Sequence, residues 1–343
     1  MIIKENLGES LRKAMADCRC DALFILTDSY THQACLPVVL EQLPDAARAH
    51  SIVIPAGEGH KNLETTAVLW RSFVEHAATR HSLLVNLGGG MVMDLGGFAA
   101  ATFKRGMPFI NLPTTLLGAV DAAIGGKTGI NLFGLKNEIG VFAEPLTTII
   151  YLPFLYSLDP ENRYSGFAEM VKHALIDSPE LLSRTFANGA EVASAAFAQL
   201  LSDNLAVKRR FVRSDPREKN LRKALNLGHT FGHAFEMLSH KINHPLLHGT
   251  AVMWGLVCET LLSHSRLGLD KAVVLQLLAF AKAHYPPLPF SCQHYDDIHR
   301  IMIHDKKNCA AQIHCTLLRA IGQVEINQTV SREEICECLD FIS

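Results

Sequence analysis

SLLVNLGGGMVMDLGGFAAATF, residues 82–103, is the stretch whose reading decides the fold. Residues 82–87 are a short apolar run, too short for a buried helix and right for a buried strand. The run passes straight into Gly88-Gly89-Gly90, and residues 91–103 then predict a helix. A strand, a glycine turn and a helix in immediate succession form one βα unit of a parallel sheet.

The same rhythm extends on both sides. ALFILT (22–27) and SIVIP (51–55) predict strands before it, and residues 109–112 and 148–151 predict strands after it. Between the second and third strands, Leu63, Ala67, Trp70, Phe73, Val74 and Ala77 recur at helical spacing behind Asn62, a good N-cap residue. Beyond residue 152 the pattern changes. Residues 169–176, 191–211, 229–239, 250–263 and 271–283 predict helices, and strand signals return only at 312–324. The expected architecture is an α/β Rossmann-like parallel-sheet domain over residues 1–152, followed by a mostly α-helical domain over residues 153–343.

Composition narrows the function classes. The 343 residues are 48% hydrophobic and 19% charged, with a formal net charge of -2, which describes a globular chain with no electrostatic case for nucleic acid or an anionic membrane. Nine cysteines include two C-x-C pairs, Cys18/Cys20 and Cys336/Cys338, and no C-x-x-C, so free thiols in a reducing cytoplasm are expected and a zinc ribbon is not. MIIKENLGES at the start lacks the apolar core of a signal peptide, and no uninterrupted apolar run is long enough for a membrane span.

Gly88-Gly89-Gly90 has two readings. Backbone N–H groups at a helix start make an anion site, and glycine admits a pyrophosphate closely. The alternative is a tight strand–helix turn, since Met93 occupies the third glycine position of a dinucleotide fingerprint. Asp94 and the turn Gly57-Glu58-Gly59-His60-Lys61 are candidates for the ribose and phosphate of a cofactor, or for a solvated surface. In VDAAIGGKTGINLFGLKNEIG (120–140), Gly126-Lys127-Thr128 resembles the end of a P-loop, but Asp121 stands where that motif has its first glycine, which removes the case for ATP hydrolysis. Lys127, Lys136 and Asn137, close to a double glycine, then suit an anion pocket.

RKALNLGHTFGHAFEMLSHKINHPLLHG (222–249) carries the metal candidates. In a helix, His229 and His233 share a face, and Asn226 and Arg222 continue it backwards, unless Gly228 marks the helix start. Glu169, His229, His233 and His248 are the possible zinc ligands, and spacing alone leaves His233 and His248 as alternatives. His240 and His244 belong with the ordinary surface histidines.

Together these motifs resemble the 3-dehydroquinate synthase family of the sugar-phosphate cyclases. The matches are GEGHKNLET from Gly57, NLGGGMVMDLGGFAAATFKRG from Asn86, LPTTLLGAVDAAIGGKTGIN from Leu112, LKNEIGVF from Leu135, SGFAEMVKHAL from Ser165, RKALNLGHTFGHAFE from Arg222, the His248-Gly249 pair and HDKKN from His304. The resemblance implies NAD, one divalent metal (zinc or cobalt), a small-molecule sugar phosphate and a cytoplasmic homodimer. Its reaction turns 3-deoxy-D-arabino-heptulosonate 7-phosphate into 3-dehydroquinate and phosphate by transient oxidation, phosphate elimination, reduction and intramolecular aldol closure.

By resemblance the metal ligands are Glu169, His229 and His248. Lys127, Asn137, His233 and Lys306 surround the phosphate, with Arg105 supplied by a partner subunit. Lys208, Arg222 and Asn226 hold a carboxylate, and Lys172 and Asp121 the ring hydroxyls. Asp28, Glu58, Lys61, Gly89, Gly90, Asp94, Thr114, Thr115, Asp121, Lys127, Lys136 and Phe154 line the NAD site. Two residues depart from the pattern: Tyr30, where asparagine is common, and Asn162, in place of a carboxylate that faces the cofactor. The competing readings are another sugar-phosphate cyclase, a metal-dependent alcohol dehydrogenase of the glycerol dehydrogenase type, and a non-catalytic binding protein. Lys208, Arg222 and Asn226 favour a substrate with a carboxylate.

Overall fold

In a computed structural model, residues 1–18, 20–133, 135–303 and 312–343 are described. The chain forms two compact units, Met1–Leu158 and Asp159–Ser343. Among the described residues no helix is long and apolar enough to cross a membrane.

The first unit runs β1 (Ile2–Ile3), α1 (Leu7–Cys18), β2 (Leu23–Asp28), α2 (Ser29–Ala34), α3 (Leu36–Gln42), β3 (His50–Ile54), α4 (Leu63–Glu75), β4 (Leu83–Gly88), α5 (Gly90–Thr102) and β5 (Phe109–Pro113). It closes with β6 (Lys127–Leu132), β7 (Leu135–Phe142), β8 (Thr147–Thr148), β9 (Ile150–Tyr151) and α6 (Leu152–Tyr156). Strands β3-β2-β4-β5-β8 pair in that order as one parallel sheet. Side chains alternate across it. Phe24, Leu26 and Leu84 pack on one face with Leu69 and Phe73 of α4 and Val92 and Leu95 of α5. Ile25, Leu83, Val85 and Leu87 pack on the other with Leu7 and Leu11 of α1 and Leu36 and Val39 of α3. Both faces are covered, which is why the strands read as continuous apolar runs with no polar alternation. Asn62 caps α4 by accepting the Thr65 N–H at 2.9 Å.

The unit extends past residue 152 to include α6, whose Phe154 joins the core beside Tyr151 with ring centroids 5.0 Å apart. The expected strand 148–151 is divided. Thr147–Thr148 adds to the main sheet, and Ile150–Tyr151 pairs with β1. Residues 127–142, read from sequence as part of a glycine-rich loop, form an antiparallel hairpin. Gly129 and Gly140 lie opposite each other there, and their bare backbones let the strands cross closely.

The second unit comprises α7 (Pro160–Leu175), α8 (Pro179–Asn188), α9 (Phe197–Ser214), α10 (His229–Lys241), α11 (His248–Leu267), α12 (Lys271–His284), α13 (Tyr295–Ile303), the antiparallel hairpin β10 (Ile313–Ala320) and β11 (Gln323–Val330), and α14 (Arg332–Ile342). Helix α7 begins well before residue 169, because Asp159 caps it and Pro160 fits its first turn. The expected helix over 191–211 forms only from Phe197 onward, and residues 191–196 before it are turns. Helix α8 ends at Gly189, which has φ 60, and α9 starts only at Phe197.

Gly228 sets a further boundary. It adopts φ 77, so α10 starts at His229 and residues 221–226 form a separate 3-10 turn. Arg222 and Asn226 therefore do not continue the His229 face. The helix pair α10–α11 is packed at backbone distance, since a Cβ on Gly255 would lie 2.0 Å from the Gly228 carbonyl oxygen. Gly255→Ala is expected to force the two helices apart and cost about 1–3 kcal/mol, measured as a lower midpoint in denaturant unfolding. An unchanged midpoint would mean that the pair tolerates the shift.

Candidate active site

Three ionisable side chains meet in the second unit. Glu169 comes from the middle of α7, His229 from the first residue of α10 and His248 from the first residue of α11. The close approach of α11 to α7 depends on Gly249. Its N–H donates to Ser165 Oγ at 3.1 Å, and a Cβ there would lie 1.9 Å from the Ser165 carbonyl oxygen. Ser165 is one helical turn before Glu169, so this contact delivers His248 to the carboxylate.

The geometry is that of a cation site. His229 Nε2 and His248 Nε2 stand 3.3 and 3.4 Å from Glu169 Oε1, and one ligand atom from each residue lies within 4.8 Å of the others. Donors placed tetrahedrally around zinc at its usual bond lengths are about 3.4 Å apart. Glu169 is fully buried, and the groups that meet its oxygens are the Lys172 ammonium and the two imidazole Nε2 atoms. Lys172, one turn along α7, ion-pairs with Oε2, and Oε1 is the oxygen turned to the imidazoles. Burial pushes the Glu169 carboxyl up, but Lys172 and His229 outweigh it and hold it well below the ordinary carboxylate range.

Both imidazoles are oriented from behind. His229 Nδ1 donates to the Leu227 carbonyl oxygen at 3.0 Å, and His248 Nδ1 donates to Glu236 Oε2 at 3.1 Å. With Nδ1 carrying the proton, each Nε2 keeps its lone pair for a cation. Without a cation, burial pushes the His248 imidazole down, but Glu236 and Glu169 outweigh it and raise it to about 10, so Nε2 then carries a second proton that a bound metal would displace. His233 lies in the same group of rings, with centroids 5.4 Å from His229 and 6.2 Å from His248. The group that joins Glu169 and His229 within 4.8 Å has His248 as its third member.

Among the other expected residues of this unit, Lys208 and Arg222 are buried. The Arg222 guanidinium donates to the Pro216 carbonyl at 2.8 Å, and the Asn226 amide donates to Glu218 Oε1 at 3.0 Å. Asn162, at the start of α7, donates its side-chain amide to Asp159 Oδ2 at 2.8 Å. Lys306 lies outside the described residues.

The first unit builds a different site. Strand order reverses between β2 and β4, and the carboxyl ends of strands at such a switch point form a nucleotide crevice. Asp28 ends β2, where Oδ1 caps α2 by accepting the Tyr30 and Thr31 N–H groups at 2.9 and 2.8 Å. Gly88 ends β4, and Gly89 and Gly90 open α5. Thr114 N–H donates to the Gly88 carbonyl at 2.9 Å, and Thr115 packs against Gly89. Beside the glycines, Lys61 Nζ donates to Asp94 at 2.6 Å and to Asn137 Oδ1 at 2.5 Å, with Glu58 at 3.8 Å. Burial pushes the Asp94 carboxyl up, and Lys61 offsets it only in part.

Asn137, expected at the phosphate, is thus placed with Lys61 and Asp94. Lys127 and Lys136 lie on the β6–β7 hairpin and Asp121 on the π-turn Gly118–Ala122. Phe154 is in the core, Arg105 is exposed at φ 64, and Tyr30 is exposed.

Sequence reasoning missed Glu236 and Asn131. Glu236 is one turn after His233 on the helix face that carries the histidines, and that spacing was the available signal. Asn131 donates to Glu58 Oε1 at 3.0 Å and accepts the Asn137 N–H at 2.9 Å. Its partners are distant in sequence, and no local pattern announces it.

His248→Ala is expected to lose most bound zinc and stay folded, and Glu236→Gln to weaken zinc about 10–100-fold. Metal content by mass spectrometry and competition with a chelator measure both. Unchanged zinc in the His248→Ala protein would remove His248 from the ligand set.

A family profile described as 3-dehydroquinate synthase N-terminal matches residues 51–165, and one described as 3-dehydroquinate synthase C-terminal matches residues 166–308. A 3-dehydroquinate synthase from Parabacteroides distasonis is 46% identical over 342 residues, 99% of this chain and 97% of that protein. One from Pyrococcus furiosus is 39% identical over 255 residues, 74% of each chain. Among solved structures, 2-epi-5-epi-valiolone synthase from Streptomyces hygroscopicus subsp. jinggangensis, with NAD+ and Zn2+ bound, superposes with a TM-score of 0.88 at 26% identity, over 100% of this chain and 95% of that one. A probable glycerol dehydrogenase from Sinorhizobium meliloti, at TM-score 0.62 and 11% identity over 100% of this chain and 95% of that one, shares the fold alone. With both halves of the chain matched, and a relative nearly half identical over its whole length, the chain belongs to the 3-dehydroquinate synthase family.

Proposed function

We propose that this chain is an NAD- and metal-dependent lyase converting 3-deoxy-D-arabino-heptulosonate 7-phosphate into 3-dehydroquinate and phosphate in the shikimate pathway. The observation that carries the reading is the convergence of the His229 and His248 Nε2 atoms on Glu169 Oε1, at 3.3 and 3.4 Å, in a chain that belongs to this family. When bound, NAD supplies a hydride acceptor that is restored within the turnover, and the divalent metal, zinc or cobalt, supplies a Lewis acid for a substrate hydroxyl.

The chain's own residues bind and orient. In the second unit, Glu169, His229 and His248 hold the metal, and Lys172 neutralises the far oxygen of Glu169. Lys208, Arg222 and Asn226 take the substrate carboxylate. This pairing separates a heptulosonate from the carboxylate-free sugars of other cyclases, because cations already buried lose little on meeting an anion. By resemblance, His233 and Lys306 are also assigned to the phosphate. In the first unit, Lys127 and Asn137 serve the phosphate and Asp121 a ring hydroxyl. Asp28, Glu58, Lys61, Gly89, Gly90, Asp94, Thr114, Thr115 and Lys136 hold the dinucleotide, with Phe154 supporting the site from the core. The reading retains a cytoplasmic homodimer, to which the exposed Arg105 fits as a residue offered to a second copy.

The test is phosphate release from the heptulosonate phosphate with sub-stoichiometric NAD. Release is expected to proceed through many turnovers without net NADH, and to stop on adding a chelator. Steady NADH accumulation would point to a dehydrogenase, and turnover confined to carboxylate-free sugar phosphates would point to another cyclase. In the same assay, Arg222→Met is expected to raise KM at least tenfold, since a charge-assisted hydrogen bond is worth about 1.5–3 kcal/mol.

A further inference from the structure

Helix α10 presents His229 from its first residue, and a helix start has N–H groups with no partner inside the helix. Ordinarily the residue before the helix supplies a side-chain acceptor. Here that residue is Gly228, which has none, and no side chain of its own caps the helix. The acceptor comes from the neighbouring helix. Glu259 of α11, fully buried, receives the Gly228 N–H on Oε2 at 2.7 Å and the Thr230 N–H on Oε1 at 3.1 Å. The two residues it grips are those on either side of His229.

We propose that Glu259 is a positioning residue for the metal site: its carboxylate spans the backbone on both sides of His229 and fixes where that imidazole stands. This inference rests on the reading of Glu169, His229 and His248 as metal ligands. The arrangement is reciprocal. Helix α11 carries His248 and holds the His229 turn through Glu259, and α10 carries His229 and holds His248 through Glu236. Each ligand is thus set by a carboxylate from the helix that bears the other. The closely packed Gly228 and Gly255 lie between them and leave no slack for the pair to slide.

The chemistry asks for a carboxylate at position 259. Two donors must be met by two acceptor oxygens. A glutamine offers one oxygen and turns its own NH2 toward an N–H. An aspartate keeps both oxygens but falls one methylene short. A negative charge also suits a helix N-terminus.

The experiment measures zinc affinity by chelator competition, together with the visible spectrum of the cobalt-substituted protein, for the wild type, Glu259→Gln, Glu259→Asp and Ser263→Ala. Ser263 is the structural control. It is buried one turn along α11, donating to the Glu259 carbonyl at 2.6 Å and accepting the Leu318 N–H at 2.9 Å, away from α10. Both Glu259 variants are expected to bind zinc about 10–100-fold more weakly, with an altered cobalt spectrum. Ser263→Ala is expected to lose thermal stability and keep the wild-type affinity and spectrum.

If one Glu259 variant fails to fold, the other is read alone. If both fail, amide exchange in the wild type decides: slow exchange at Gly228 and Thr230 in the metal-free protein supports the clasp, and fast exchange overturns it. Wild-type affinity and spectrum in a folded Glu259 variant would also overturn the inference. A wild-type protein that binds no zinc would instead bring down the metal reading on which the inference rests.

Discussion

A carboxylate taken out of water costs several kcal/mol unless charge meets it inside the protein, and Glu169 is taken out completely. Around it the second unit is arranged so that one oxygen faces an ammonium and the other faces two imidazole nitrogens. The three groups come from three helices, and each helix carries a local device that fixes its position. Asp159 and Pro160 start α7, the bare backbone of Gly228 starts α10, and Gly249 brings the start of α11 against Ser165. The site is accurate because it is built at helix starts and on a helix interior, where the backbone has little freedom. A loop could not hold it as closely.

The first unit applies the same economy to a different ligand class. Its sheet is buried on both faces, and the carboxyl edge is where polar groups gather. Lys61, nearly inaccessible to solvent, is met there by Asp94 and Asn137, and the glycine turn beside it is closed by Thr114 and Thr115. Asp94 is held less acidic than an ordinary carboxyl because its enclosure outweighs its cation. A site arranged in this way is charged but nearly neutral in sum, which suits a ligand carrying both phosphate and hydroxyl groups.

Much of this was legible in the sequence. The parallel sheet could be read because each main strand is a short apolar run closed by glycine, proline or a polar residue, and α4 because Asn62 precedes a clean helical stripe. The hairpin over residues 127–142 could not, since its glycines look like a loop until they are seen opposite each other. The helix over 191–211 was started too early, because residues 191–196 carry helix-compatible side chains and no side-chain cap marks the true start at Phe197. In the metal region, spacing offered His233 and His248 equally. The difference lies in the contact of Gly249 with Ser165, which joins residues far apart in the chain. Resemblance named the three converging residues. Glu236 had only its one-turn spacing from His233 to announce it, and Glu259 had no signal, because its partners are backbone amides of another helix.

The placement of Glu169, His229 and His248 on three separate helices has a thermodynamic consequence for the second unit. A cation held by all three would join points of the chain that are far apart in sequence, and it would bind only when α7, α10 and α11 are already together. Such a ligand stabilises the folded form by mass action, by an amount set by its free concentration relative to its dissociation constant. The melting temperature of this unit is then a function of metal supply. Copies made under metal starvation would differ from loaded copies in lifetime against unfolding and proteolysis as well as in activity, and the abundance of the protein would follow the availability of its ion.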